Sequence, residues 1–279
     1  MSDKKPKYPV VVVHGICDKC ASQQEGFSRV LRDNVFPEGA DRESYWHEAI
    51  WEKVTEAADS KMQDEVLKLV NAYNKTEYWL DEQLAKRHSL IGRVLAYVWW
   101  SFGVFARLKS VDKLTQTLDL LLDLPLYMGN PRGNRVRDVV RDEISKAASV
   151  SGNSVILVGH SLGSVIAYDV VRENLENGCP LPIKALVTFG SPLDWVQDLR
   201  VAEGDVVRSK WSVSPVPWYN YYDPKDPVCM MQEFPMERFD ALAVNASTSS
   251  GKCGIGAHTA YWRSGDIASR IRSLAYGEL

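Results

Sequence analysis

A strand-like apolar run from Val155 to Val158 stops at Gly159-His160-Ser161-Leu162-Gly163, and helix-compatible sequence resumes at once. A serine hydroxyl is a weak nucleophile, so it needs a base to take its proton and a geometry that exposes it. A G-x-S-x-G turn between strand and helix supplies the geometry. The bend is sharp enough that side chains at Gly159 and Gly163 would collide with neighbouring backbone. The following helix points its N-terminal N–H groups and positive dipole end at the place where negative charge develops. Ser161 is therefore the candidate nucleophile of an acyl transfer.

The base must come from five histidines. His160 is inside the turn and is expected to point away from Ser161. His14 ends the first strand, and His47 and His88 lie in or beside a long helical stretch. His258 comes late, in the Gly-rich segment GKCGIGAHTAYW, and is expected on a loop, where a proton shuttle is commonly carried. The chain order Ser–acid–His also favours it. The orienting carboxylate should then fall between the two, after a strand. Asp226 in YYDPKDPV is the first choice; Asp223 and Asp194 remain alternatives, with Asp223 equally able to be a turn-former bonding its own backbone. The oxyanion needs two N–H donors, for which Leu162 and Ile16 are the candidates, Gly15 allowing close approach. Losing one such donor typically costs about 3 kcal/mol of transition-state stabilisation. This chemistry requires no metal and no organic cofactor.

The elements that must hold these groups are legible as short apolar strands alternating with helices. Strands are predicted over 8–13, 155–158, 183–189 and 218–222, with a last one over 240–244. Helices are predicted over 24–36, 134–148 and 162–175, and 44–51 is ambiguous between strand and helix. The pattern implies an α/β fold with a mostly parallel central sheet covered by helices on both faces. Active groups in such sheets gather at the carboxyl ends of the strands, where HGI, GHSLG, GSPLD, DPKDPV and AHTAYW all fall.

The 279 residues carry 45% apolar and 25% charged side chains and a formal net charge of −3, ordinary for a soluble globular protein. No basic stretch interleaved with aromatics suggests nucleic acid. The start, MSDKKPKYP, lacks the features of a secretory signal, and five cysteines suit a reducing compartment, so a cytoplasmic location is expected. Cys17 and Cys20 form a CxxC, which reads as incidental thiols because no second ligand pair completes a zinc site.

GHSLGSVIAYDVV, YYDPKDPV and AHTAYWRSGD together resemble the α/β-hydrolase fold in its lipase and esterase branch. Their nearest likeness is to the catalytic core of DDHD-type intracellular phospholipases A1, over about half of the chain in patches. The resemblance implies hydrolysis of phospholipid acyl esters, with Ser161, Asp226 and His258 at the triad positions and Asp266 at a later acidic position.

One domain is expected over 1–279, with a helical insertion over 55–130 ahead of the nucleophile strand. Within it, Val94 to Ala106 is free of charge for 13 residues, too short for the ~20 a membrane-spanning helix needs. Its readings are a buried helix, a lid lining an acyl pocket with Trp99, Trp100, Phe102 and Phe105, or a segment in peripheral contact with a membrane. The expected activity is a serine hydrolase acting on carboxylic esters, its substrate a small-molecule or lipid ester. An acyltransferase or thioesterase would share the triad, and a catalytically silent α/β-hydrolase would serve as a membrane- or protein-binding module.

Overall fold

Four consecutive valines make β1, Val10–Val13, and all four are fully buried. β-branched side chains suit the pleated backbone, and a strand buried on both faces has no reason to alternate with polar residues. The computed structural model describes residues 5–15, 21–36, 42–51, 127, 132–178, 181–194, 196–197, 216–226, 228–229, 243–253 and 255–279. The helical insertion expected over 55–130 lies outside them except for Tyr127, which packs in the core.

After β1 come α1 (Ala21–Val35), the short α2 (Arg42–Tyr45) and β2 (Trp46–Ala49). Next are α3 (Arg132–Ser151), β3 (Val155–His160), α4 (Leu162–Glu176), β4 (Ile183–Phe189) and β5 (Trp218–Tyr222). The described chain closes with β6 (Ala243–Ser247), α5 (Ile255–Ala260), a 3-10 turn over Tyr261–Arg263, and α6 (Gly265–Ala275). The six strands form one sheet in the order β2-β1-β3-β4-β5-β6, and every neighbouring pair is parallel.

Alternate residues face opposite sides of the sheet. Val11, Val13 and Leu157 meet Val136, Val140 and Ile144 of α3 and Val165 and Ile166 of α4. The spacing of four along α3 puts its three apolar residues on one stripe. On the other face Val10, Val12, Ile156 and Val187 meet Leu31 and Val35 of α1 and Ile271 and Leu274 of α6. Burying each such aliphatic side chain stabilises the fold by roughly 1.5–3 kcal/mol, which ties the helices firmly to the sheet. This is a doubly wound α/β arrangement, a parallel sheet covered on both faces.

The chain order creates the site. From β1 the chain runs to α1 on one face, whereas from β3 it runs to α4 on the other. β1 and β3 are neighbours, so a crevice opens between their carboxyl ends, the topological switch point where such folds bind ligands.

The strands expected over 183–189 and 218–222 lie where the sequence puts them. The last strand runs three residues later than expected, over Ala243–Ser247. The ambiguous 44–51 region is both things, one helical turn followed by an edge strand. Among the described residues no helix is long and apolar enough to cross a membrane, and no three His, Cys, Asp or Glu side chains cluster as metal ligands.

Candidate active site

Ser161 joins β3 to α4 with φ 55° and ψ −131°. It is the one non-glycine residue at positive φ among the described residues, and such a conformation costs on the order of 1–3 kcal/mol unless its surroundings impose it. Here they do. The Ser161 N–H donates to the Phe189 carbonyl at 3.2 Å, and the Ser161 carbonyl accepts the Ser164 N–H at 3.0 Å. Ser164 Oγ also reaches the Ser161 carbonyl, and it lies 2.6 Å from Ser191 Oγ in the turn after β4.

Two glycines let the crevice close around the serine. A Cβ at Gly163 would sit 2.1 Å from the Val13 carbonyl oxygen, so only glycine lets α4 start against the end of β1. A Cβ at Gly15 would sit 2.6 Å from Ser161 Cβ and 3.2 Å from its Oγ. The backbone leaving β1 thus passes directly beside the hydroxyl. Gly159 is equally confined, its would-be Cβ 2.6 Å from Ser164 Cα. Leu162 opens α4, where the N–H groups have no intrahelical acceptor. Ile16 lies outside the described residues, as do Trp99, Trp100, Phe102, Phe105, Cys17 and Cys20.

His258 is not on a loop. It sits in α5, whose residues run on into the 3-10 turn and bury His258, Tyr261 and Trp262 together. Burying three large rings favours a compact helical turn over an open loop at this point. His258 Nδ1 is 2.9 Å from Asp226 Oδ2. Asp226 is fully buried, and its Oδ1 accepts the Val228 N–H at 2.9 Å.

The Asp226 backbone N–H donates to the Asp223 carbonyl at 2.8 Å, closing a turn whose second residue is Pro224. Asp223 is committed elsewhere: its Oδ1 accepts the Lys225 N–H at 2.9 Å, and its Oδ2 accepts the Ser250 N–H and hydroxyl at 3.0 and 3.1 Å. It is the turn-former that its sequence context also allowed. Asp194 is buried in the turn after β4. Asp266 opens α6, on the rim of a cavity of about 350 Å³ behind α5.

Three side chains that sequence reasoning left out shape this centre. The His160 ring packs on the His258 ring with centroids 4.6 Å apart, and its Nε2 lies 2.9 Å from the His258 carbonyl oxygen. Burial, together with the neighbouring His258, holds the His160 imidazole well below the usual histidine range. It is therefore neutral and donates Nε2–H to that carbonyl. Tyr261 donates its hydroxyl to Asp226 Oδ2 at 2.9 Å and accepts the Asp223 N–H at 2.7 Å. Trp262 stacks on His14 at 5.5 Å and meets Phe189 edge-on at 5.1 Å. For Tyr261 a signal existed: it stands three residues after His258, on the same helical face.

Ser161 Oγ is buried and makes no hydrogen bond among the described residues, so it is not bonded to His258 in this structure. The two nevertheless flank the same backbone. Ser161 bonds Phe189, and a Cβ on the next residue, Gly190, would lie 3.1 Å from His258 Nδ1 and Cε1. Contacts of this kind often stay long without substrate and tighten in the reacting complex.

No protein family profile matches the chain, and no curated protein matches it. Among solved structures, RedJ with a PEG molecule bound in its active site aligns at 19% identity and TM-score 0.31, covering 52% of this chain and 68% of RedJ. The RedJ thioesterase of the prodiginine pathway of Streptomyces coelicolor aligns at 20% identity and TM-score 0.30, covering 52% and 69%. A candidate esterase from Staphylococcus aureus aligns at 12% identity and TM-score 0.35, covering 51% of this chain and 58% of that one.

Proposed function

We propose that the protein is a serine hydrolase of carboxylic esters or thioesters working through an acyl-enzyme. The observation that carries the reading is the 2.9 Å bond between His258 Nδ1 and a fully buried Asp226, next to a serine held at φ 55° on a strand-to-helix bend.

In this reading Ser161 Oγ attacks the acyl carbon while His258 Nε2 takes its proton. Asp226 holds the Nδ1–H tautomer and stabilises the imidazolium that forms. The oxyanion is met by the N–H of Leu162 and by that of Ile16, whose neighbour in sequence, Gly15, lies beside Ser161. The imidazolium returns the proton to the leaving oxygen or sulfur, which departs. Water, deprotonated by the same histidine, then attacks the acyl-enzyme and releases the acid.

Atoms and roles are the same for an oxygen ester and a thioester, so the leaving group is decided by experiment. The lipid reading is carried by the sequence resemblance to DDHD-type phospholipases A1. The charge-free segment 94–106, which the resemblance does not cover, would add a lid with Trp99, Trp100, Phe102 and Phe105 toward the acyl chain.

The test is labelling with a fluorophosphonate probe, followed by a panel of p-nitrophenyl esters of increasing acyl length, acyl thioesters and phospholipids. The reading expects labelling in the wild type and none in Ser161→Ala at unchanged melting temperature. An unlabelled wild type would leave the binding-module alternative. Turnover of acetate only would remove the lipid substrate and keep the esterase.

A further inference from the structure

Asp226 Oδ2 has two donors. One is His258 Nδ1–H at 2.9 Å, and the other is the Tyr261 hydroxyl at 2.9 Å. Oδ1 takes the Val228 N–H, so each oxygen of the carboxylate is engaged. The Tyr261 oxygen is itself fixed, because it accepts the Asp223 N–H at 2.7 Å across the Asp223–Asp226 turn. Its single proton is then aimed at the carboxylate. Burial and the adjacent Asp226 charge push the phenol far above the usual tyrosine range, so that proton stays on it.

A hydroxyl donating to the oxygen that a histidine uses has a specific consequence. It draws negative charge from that oxygen and weakens what the imidazole can obtain from it. Tyr261 is also linked to the base from the other side, since it stands one helical turn after His258 and its ring meets the His258 ring edge-on at 6.4 Å.

We infer that Tyr261 is a positioning residue of the acid–base pair, which holds the Asp226 carboxylate in register and sets how much of its charge reaches His258. This rests on the hydrolase reading of Ser161, Asp226 and His258. Among the described residues, these titratable and polar groups face the pair. His160 packs on His258 from the end of β3, Cys229 Sγ lies 3.7 Å from the Tyr261 oxygen, and the Asp223 backbone N–H donates to that same oxygen.

The experiment compares Tyr261→Phe with 3,5-difluorotyrosine placed at 261, which is close in shape to tyrosine but a stronger donor. The first readout is the His258 Nδ1–H proton resonance, recorded in the Ser161→Ala background. Removing the hydroxyl leaves Oδ2 to the imidazole alone and moves that resonance downfield; strengthening the donor moves it upfield. The second is the rate of fluorophosphonate labelling with Ser161 present. It falls about tenfold in Tyr261→Phe, the order expected for one hydrogen bond to a charged group, and the acid limb of its pH profile shifts.

Opposite displacements in the two variants are the result a merely structural tyrosine would not give. An unmoved resonance in the difluorotyrosine protein overturns the inference, and so does Tyr261→Phe labelling at the wild-type rate with an unchanged pH profile. The resonance is read without a nucleophile, so it decides the role of Tyr261 even if a wild type that never labels has removed the hydrolase reading.

Discussion

Two histidine–carboxylate pairs stand at the same carboxyl edge of the sheet. His258 and Asp226 meet at 2.9 Å through Nδ1, and the acid is completely buried with further donors from Val228 and Tyr261. His14 and Glu48 approach only to 3.3 Å through Nε2, and neither ring nitrogen of His14 makes a hydrogen bond among the described residues. Glu48 instead accepts the Ser28 hydroxyl at 2.5 Å, and Ser28 in turn accepts the Trp46 indole N–H at 2.9 Å.

The first pair is directional and fixes a tautomer, as proton transfer requires. The second is a looser contact between the end of β1 and β2, and its carboxylate is held by Ser28 of α1 rather than by the imidazole. A histidine beside a carboxylate is thus not enough to define a base. What separates the pairs is which nitrogen is bound and how completely the acid is held.

Exchanging each acid for its amide tests that difference most strongly. Asp226→Asn keeps the shape but favours the wrong tautomer, and kcat/KM for an activated ester should fall about 10³–10⁴-fold. Glu48→Gln should leave kcat/KM within about threefold, since surface or bridging charge contacts contribute modestly. Equal losses in the two variants would erase the distinction.

Gly15→Ala probes the ground shared by both pairs. Its methyl group would lie 2.6 Å from Ser161 Cβ, so the loop from β1 must retreat from the hydroxyl. Rate should drop about 10²-fold, the scale of one lost oxyanion donor. The melting temperature should fall with it, because the overlap is with Ser161 Cβ and not with a flexible side-chain end.

The smallest effect lies in stability. Burial pushes the Glu48 carboxyl up, but His14, Ser28 and Trp46 outweigh it and hold the group below its ordinary value of 4.5. A carboxylate lowered on folding stabilises the protein above its unfolded pKa and loses that contribution as pH falls through the folded one. Thermal melts should therefore show Glu48→Gln less stable than wild type at pH 7, with the gap closing below about pH 4. A gap that persists in acid would mean that packing rather than charge holds β1 to β2.

How much of this was legible depended on how local each signal is. β4 and β5 are short, mostly apolar or aromatic segments bounded by proline or glycine, and their ends are set within the segment itself. Among the described residues β6 pairs only with β5, and its residue Val244 is about half exposed, so the apolar run over 241–244 misplaced it toward the N-terminal side. β2, also at an edge, buries only Trp46 and Ala49 at its two ends.

The serine elbow could be read because the glycine–serine–glycine pattern that signals it lies within residues 159–163, although Phe189 and Gly15, which hold it, are distant in sequence. The His160 contact could not, because its partner carbonyl is 98 residues away and arrives only when α5 folds over the end of β3. The same holds for Tyr261 and Asp226, 35 residues apart. The helical form of α5 was hidden by the glycines around it, since its stability comes from burying His258, Tyr261 and Trp262 rather than from helix propensity.

The most direct test is the rate at which a p-nitrophenyl ester acylates Ser161, followed by rapid-quench mass spectrometry of the intact protein and of the peptide containing that residue. The acyl group should appear stoichiometrically on Ser161, at near wild-type rate in Glu48→Gln and at least about 10³-fold slower in Asp226→Asn. Acylation at another residue, or an Asp226→Asn protein that acylates as fast as the wild type, would contradict the account.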